Sequence, residues 1–171
     1  MTARLALVGV PGSGKTTLGA ALADSWGCAF LDTDEVYEQQ HGKPVSEAVI
    51  DDEADFRRSE EVIVRDCLDA DGVVVAVGSG AIDAPSVRQA LADCPVVWLD
   101  LPVSEAARRN GLSAVQPVPL GNVRAQFLEM LQKRADQYGA VADLRLRPDG
   151  GDAAQLLNEI IAWEADNDAH G

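Results

Sequence analysis

Apolar positions along this 171-residue chain follow two alternating rhythms. Short, mostly apolar runs at 4–9, 28–31, 72–77 and 95–100 have the length and continuity of strands covered on both faces, and 142–146 is a fifth strand candidate. Between them, apolar residues recur every three or four positions, which predicts helices at 15–26, 34–41, 45–50, 53–69, 84–92, 103–110, 122–138 and 153–166. Leu18, Ala21, Leu22 and Trp26 share one face of the first. Phe56, Glu60, Ile63 and Cys67 share a face of the fourth, Leu128, Leu131 and Ala135 one of the seventh, and Leu157, Ile160 and Ile161 one of the last. Strands that alternate with helices predict an α/β fold on a parallel sheet. No internal repeat interrupts the pattern, so residues 1–166 read as one domain and the polar residues 167–171 as a frayed tail. One interval breaks both rhythms: "GLSAVQPVPLGN", 111–122, carries two prolines and two glycines between two helices. Such an interval in a compact domain predicts a mobile lid.

Charge narrows the possible partners. With 28 acidic and 14 basic residues the net charge is −14, and no run of Lys or Arg interrupts it. Nucleic-acid affinity comes largely from neutralising backbone phosphates, so this composition argues against it. No stretch approaches the roughly 20 apolar residues of a membrane span. Neither a leader segment nor a C-x-x-C pair is visible, and Cys28, Cys67 and Cys94 lie among apolar neighbours, which predicts buried reduced thiols. The expectation is a soluble cytoplasmic protein without nucleic-acid or membrane partners, working as a monomer.

The first strand leads into "GVPGSGKTT", residues 9–17, which fits G-x-x-x-x-G-K-[ST] with Gly9, Gly14, Lys15 and Thr16 in register. Strand, glycine loop and helix together define a phosphate cradle. Backbone N–H groups across Gly12, Ser13, Gly14, Lys15, Thr16 and Thr17 can close around phosphates at a helix N-terminus. Lys15 adds a full charge, and the Thr16 hydroxyl can ligate Mg²⁺. No N-K-x-D stretch is present for guanine, which leaves a small-molecule kinase as the leading class.

The acceptor side shows in four later stretches. "FLDTDEVYE", 30–38, sets Asp32 and Asp34 at the end of the second strand, where parallel sheets bind ligands. One carboxylate there can hold Mg²⁺ through water, and the other can take a hydrogen bond or proton from a substrate hydroxyl. The competing role for Asp34 is a helix cap. In "DFRRSEE", Arg57 and Glu60 are three apart on a helix and can pair, aiming the guanidinium at a substrate carboxylate. "VVVAVGSGA" ends a buried strand in Gly78-Ser79-Gly80, small enough for a ligand to approach the backbone. "KRADQY" offers Arg134 on the helix after the lid.

This order of motifs resembles the shikimate kinase family over about residues 4–146. The resemblance implies a P-loop kinase fold with a five-stranded parallel sheet and transfer of the ATP γ-phosphoryl to the 3-hydroxyl of shikimate. It implies Asp34 as base and hydroxyl ligand, with Lys15 as the other catalytic group. It further implies Arg57 and Arg134 on the substrate carboxylate, Glu60 steadying the arginines, Gly78, Ser79 and Gly80 as the substrate wall, Thr16 and Asp32 at Mg²⁺, and Arg109 against adenine.

Four positions depart from the family pattern. The lid arginine before a proline is Gln116 here, a nucleotide-side position that now carries no charge. Ser79 stands where the family has the middle glycine, and its Cβ is expected to forbid a positive φ and to crowd the ligand. Val49 replaces a Phe on the pocket wall. The late adenine loop reads "RPDGGDAAQ", with Gly150, Gly151 and Ala153 in place of basic residues and proline. Arg109 and Arg124 flank the lid as replacement cations, and Arg124 is favoured because Arg109 has work at the adenine. Three readings stay open: a shikimate kinase, a kinase of the same fold for another polyhydroxy acid or polyol such as gluconate, and a catalytically weak ligand-binding or regulatory relative.

Overall fold

The computed structural model describes residues 2–111, 121–148 and 152–169, with side chains at all of these except 121–124 and 168. Most of the lid interval, with Gln116, lies outside the described residues, as do Gly150, Gly151 and the side chain of Arg124.

The apolar runs form five strands: β1 (Leu5–Val8), β2 (Phe30–Asp32), β3 (Val74–Ala76), β4 (Val96–Leu99) and β5 (Leu144–Leu146). All neighbours pair in parallel, in the order β2-β3-β1-β4-β5. Leu7 of β1 sits opposite both Ala76 and Val97, so β1 is the central strand and is buried throughout. The helices are α1 (Lys15–Trp26), α2 (Thr33–His41), α3 (Val45–Leu68), α4 (Pro85–Leu91), α5 (Val103–Arg109), α6 (Gly121–Val141) and α7 (Ala153–Asp168), with a 3-10 turn at Ala81–Asp83.

Alternation along β1 divides the core. Leu5 and Leu7 pack with Leu18 and Leu22 of α1 and Ile160 of α7. Ala6 and Val8 face the other layer, with Phe56 and Ile63 of α3 and Leu131 and Tyr138 of α6. A parallel sheet thus carries a helical layer on each face, and its strands are apolar because both faces are covered.

Two local features bear on the site. The separate helices expected at 45–50 and 53–69 are two halves of α3, broken at Asp52 (φ −155°, ψ 90°). Asp52 Oδ1 accepts from Asp55 N–H at 3.0 Å and caps the second half. The start of α2 is capped by Asp32, whose Oδ1 accepts from Asp34 N–H at 3.0 Å. The cap is therefore Asp32, and the Asp34 carboxylate is released from that role. At the other end of the chain, α7 continues to Asp168, two residues beyond the boundary suggested by polarity.

Candidate active site

Chain order reverses across β1: its successor β2 lies beyond β3 on one side, and β3 is followed by β4 on the other. The crevice beyond the carboxyl ends of β1, β2 and β3 is the place where such a sheet binds ligands. It contains a cavity of about 370 Å³. Pro11, Gly12, Lys15 and Thr16 line one end; Asp32 and Asp34 lie at its middle; Arg57, Glu60, Arg134 and the Gly78-Ser79-Gly80 wall line the other. Val45, Val49 and Phe56 supply the apolar side.

The phosphate cradle occupies the turn between β1 and α1. Gly12 (φ 80°) and Gly14 (φ 96°) use left-handed backbone that a side chain would strain. Lys15 Nζ donates to the carbonyls of Gly9 (2.8 Å) and Val10 (3.2 Å) and to Ser79 Oγ (3.2 Å). Burial lowers its pKa to about 8 against the opposing pull of Asp34 and Asp32. Thr16 Oγ1 donates to Asp32 Oδ2 at 2.6 Å, so the two hard oxygen groups expected at Mg²⁺ are adjacent. The Ser13 hydroxyl is buried and has no hydrogen-bond partner among the described residues. Thr17 is exposed in the first turn of α1.

Arg109 and Asn110 fasten the end of α5 to this loop. Arg109 Nη1 donates to Gly12 O at 2.7 Å and its Nε to Glu105, while Asn110 Nδ2 donates to Pro11 O at 3.1 Å. Sequence reading had singled out Arg109 and missed Asn110, a contact across 99 positions that no local pattern announces.

At the opposite end, Arg57 Nη1 donates to Glu60 Oε2 at 2.7 Å, and Glu60 is 5% exposed. Burial raises the Glu60 pKa, and Arg57 opposes that rise. Arg134, 6% exposed, donates to Asp83 Oδ2 through Nε (3.2 Å) and Nη2 (3.0 Å). Glu60 bonds Arg57 directly and acts on Arg134 through its charge, while Asp83 from the 3-10 turn supplies the hydrogen bonds to Arg134. Asp34 stands between these arginines and the cradle. Burial first, and then the Asp32 charge, raise its pKa above the ordinary carboxylate value.

The glycine wall does not depend on left-handed backbone. Neither Gly78 nor Gly80 has a positive φ, and Ser79 is accommodated in ordinary backbone. Close approach is what demands the glycines. A Cβ at Gly78 would fall 2.6 Å from Asp34 Oδ1 and 2.9 Å from Glu60 Oε1, and one at Gly80 would fall 2.7 Å from Arg57 Cζ. Gly78 N–H donates to the buried Thr33 Oγ1 at 2.8 Å, and Tyr138 Oη donates to Ser79 O at 2.6 Å. Thr33, Asp83 and Tyr138 are the supports that sequence reading missed.

Elsewhere, the described residues contain no cluster of three or more His, Cys, Asp or Glu suited to a metal ion, and none of their helices is long and apolar enough to cross a membrane. Cys67 and Cys94 are buried, Cys28 is half-buried, and none is in a disulfide.

A cradle for nucleotide phosphates that shares one cavity with a carboxylate and two arginines defines a P-loop phosphotransferase for small anionic acceptors. Comparison with known proteins narrows the class. The family model for shikimate kinase matches residues 11–164. The shikimate kinase of Salinispora tropica is 43% identical over 157 residues, covering 91% of this chain and 94% of the relative. That of Mycobacterium avium is 37% identical over 164 residues, covering 95% and 93%. Among solved structures, shikimate kinase from Acinetobacter baumannii in complex with shikimate superposes with a TM-score of 0.83 at 29% identity, covering 98% of this chain and 94% of that one. The chain belongs to the shikimate kinase family.

Proposed function

We propose that this chain transfers the γ-phosphoryl group of ATP to the 3-hydroxyl of shikimate. One observation carries the reading: a single cavity joins the Lys15 cradle to Asp34 and to two arginines held by carboxylates. An acceptor that carries both a carboxylate and a hydroxyl suits a cavity lined by arginines and carboxylates.

In this mechanism Arg57 and Arg134 take the substrate carboxylate, exchanging part of their present bonds to Glu60 and Asp83 for it. The hydroxyl to be phosphorylated then faces Asp34. Its oxygen bonds to the γ-phosphorus, the bond from that phosphorus to the β–γ bridging oxygen breaks, the hydroxyl proton passes to the Asp34 carboxylate, and ADP departs. The raised pKa of Asp34 suits this role, because a base is most effective when its pKa approaches the working pH. Lys15 stabilises the phosphate oxygens as charge shifts among them.

Mg²⁺ fits the donor set, since the Thr16 hydroxyl and the Asp32 carboxylate are hard oxygens already 2.6 Å apart. Magnesium is bound by one or two protein oxygens together with substrate phosphates, which is consistent with the lack of an all-protein metal cluster among the described residues. When bound it would neutralise charge on the β- and γ-phosphates. The same reading takes the enzyme as a monomer with a single domain over 1–166, one five-stranded sheet carrying the described parts of the site. The reading includes a cytoplasmic location, which rests on the match to the shikimate kinase family.

The test is product identity. Incubation with Mg·ATP and shikimate should release ADP and yield one phosphate ester coupled to the ring proton at carbon 3 in ³¹P NMR. An ester at another hydroxyl, or ADP release that shikimate does not accelerate, contradicts the proposal.

A further inference from the structure

Ser79 meets the phosphate cradle from across the cleft. An ammonium has three N–H donors. All three of Lys15's are engaged: by Gly9 O at 2.8 Å, Val10 O at 3.2 Å and Ser79 Oγ at 3.2 Å. The two carbonyls belong to the cradle itself, whereas Ser79 sits on the acceptor wall, between glycines that abut Asp34, Glu60 and Arg57. Its position is fixed from behind, because the Tyr138 hydroxyl donates to the Ser79 carbonyl at 2.6 Å. Tyr138 is 1% exposed and stands one helical turn beyond Arg134 on α6. The hydroxyl is therefore anchored at the seam between donor and acceptor halves.

Lys15 must release at least one of its three bonds to reach a phosphate. Of the three partners, only the hydroxyl can donate as well as accept. A carbonyl freed by the lysine can only repel the arriving phosphate oxygens, while a freed hydroxyl can turn and bond them. We infer that Ser79 is a hand-over group for the reaction proposed above: it holds the Lys15 ammonium in the empty site, then donates a hydrogen bond to the transferring phosphoryl oxygens when Lys15 turns to them. The hydroxyl keeps its proton throughout, so the balance of the transfer step is unchanged. This inference rests on the proposed phosphoryl transfer. It gives the acceptor wall a donor of its own toward the phosphoryl group.

Two measurements on the full chain test it. The first is steady-state turnover with Mg·ATP and shikimate for Ser79→Ala, Ser79→Gly and Ser79→Thr. The alanine and glycine variants should lose about tenfold in kcat, the weight of one hydrogen bond to a charged group. Their KM for shikimate should stay within about twofold, and Ser79→Thr, which keeps the hydroxyl, should recover most of the loss. A kcat at or above wild type in both the alanine and glycine variants overturns the inference, and so does a loss confined to the KM for shikimate, which would mark a merely spatial role.

The second needs no turnover. Lys15, Lys43 and Lys133 are the chain's lysines, so ¹⁵N-lysine labelling gives three ammonium signals. In the nucleotide-free protein below pH 8, where Lys15 is protonated, its ammonium should exchange with water several-fold faster in Ser79→Ala than in wild type. Unchanged exchange overturns the holding role. Wild type that transfers nothing to shikimate defeats the proposed function instead. The Ser79 inference is then decided by slow ATP hydrolysis, which needs no acceptor: a tenfold drop in Ser79→Ala supports it and equality overturns it.

Discussion

The acceptor half and the nucleotide half of this site are built differently. On the acceptor side both arginines have carboxylate partners before any ligand arrives: Arg57 has Glu60, Arg134 has Asp83, and the wall is tied down by Thr33 and Tyr138. Glu60, Thr33, Tyr138 and Arg134 itself are buried, while Asp83 is exposed, so the clamp is pre-aimed chiefly by its buried members and loses little side-chain entropy on binding. On the nucleotide side the cradle is complete from Gly9 to Thr16, but the chain departs from its family at Gln116 and in the late adenine loop. If the proposed roles hold, the contrast is between an acceptor clamp whose arginines are already paired within the protein and a phosphoryl site whose charge compensation must come from outside the family's usual position. Substitutions in the two halves should therefore split differently between kcat and KM.

The largest effect is expected at the junction the two halves share. Lys15→Ala should lower kcat by about 10³-fold or more, as loss of a cation at the transferring phosphoryl does in related chemistry. Circular dichroism should show the fold retained. Activity near wild type would remove the cradle from the account.

Asp34→Asn comes next and sharpens the split. Loss of a positioned base should depress kcat by about 10²–10⁴-fold with a smaller change in the KM for shikimate. In wild type the same carboxylate should set the acid limb of kcat/KM. Burial and the Asp32 charge raise its pKa above 3.8, so activity is present above the raised value and is lost as pH falls through it. A limb at or below the ordinary carboxylate value would contradict the assignment.

Smaller effects are expected at the lid. Arg124→Ala should cost about tenfold in kcat if Arg124 supplies the charge that Gln116 lacks, and Gln116→Arg should restore much of that loss in the double variant. A silent Arg124→Ala together with a sharp gain in Gln116→Arg alone would show an uncompensated lid and widen the contrast between the halves.

The elements of the fold were legible because parallel strands covered on both faces read as plain apolar runs, and because the helices between them keep a clear 3.6-residue period. The break in α3 was legible too, since Asp51 and Asp52 interrupt its apolar stripe. Ends were less clear: the stretch 142–146 is broken by Asp143 and Arg145, and β5 begins only at Leu144. In the site, residues carried by motifs could be named in advance, whereas their supports could not. Asp83 reaches Arg134 across 51 positions, Thr33 reaches Gly78 across 45, and Tyr138 reaches Ser79 across 59. Thr33 and Tyr138 lie inside quoted motifs, yet which residue each pairs with leaves no trace in the sequence; only the sheet order brings them together. Ser79 shows the limit most clearly, since as a letter in a glycine triplet it reads as an obstruction, yet its hydroxyl is a partner of Lys15.

The central claim is that the arginine clamp reads the carboxylate of an acceptor whose hydroxyl lies at Asp34. The most direct measurement compares kcat/KM for shikimate with that for its uncharged carboxamide, in wild type and in Arg57→Ala. Arg57 is suited to this because its side chain is one-third exposed and can be shortened without opening the core. Wild type should favour the carboxylate by about 30-fold or more, corresponding to roughly 2–4 kcal/mol for a charge-assisted contact, and most of that preference should vanish in the variant. A preference of undiminished size in Arg57→Ala, or none in wild type, would contradict the account.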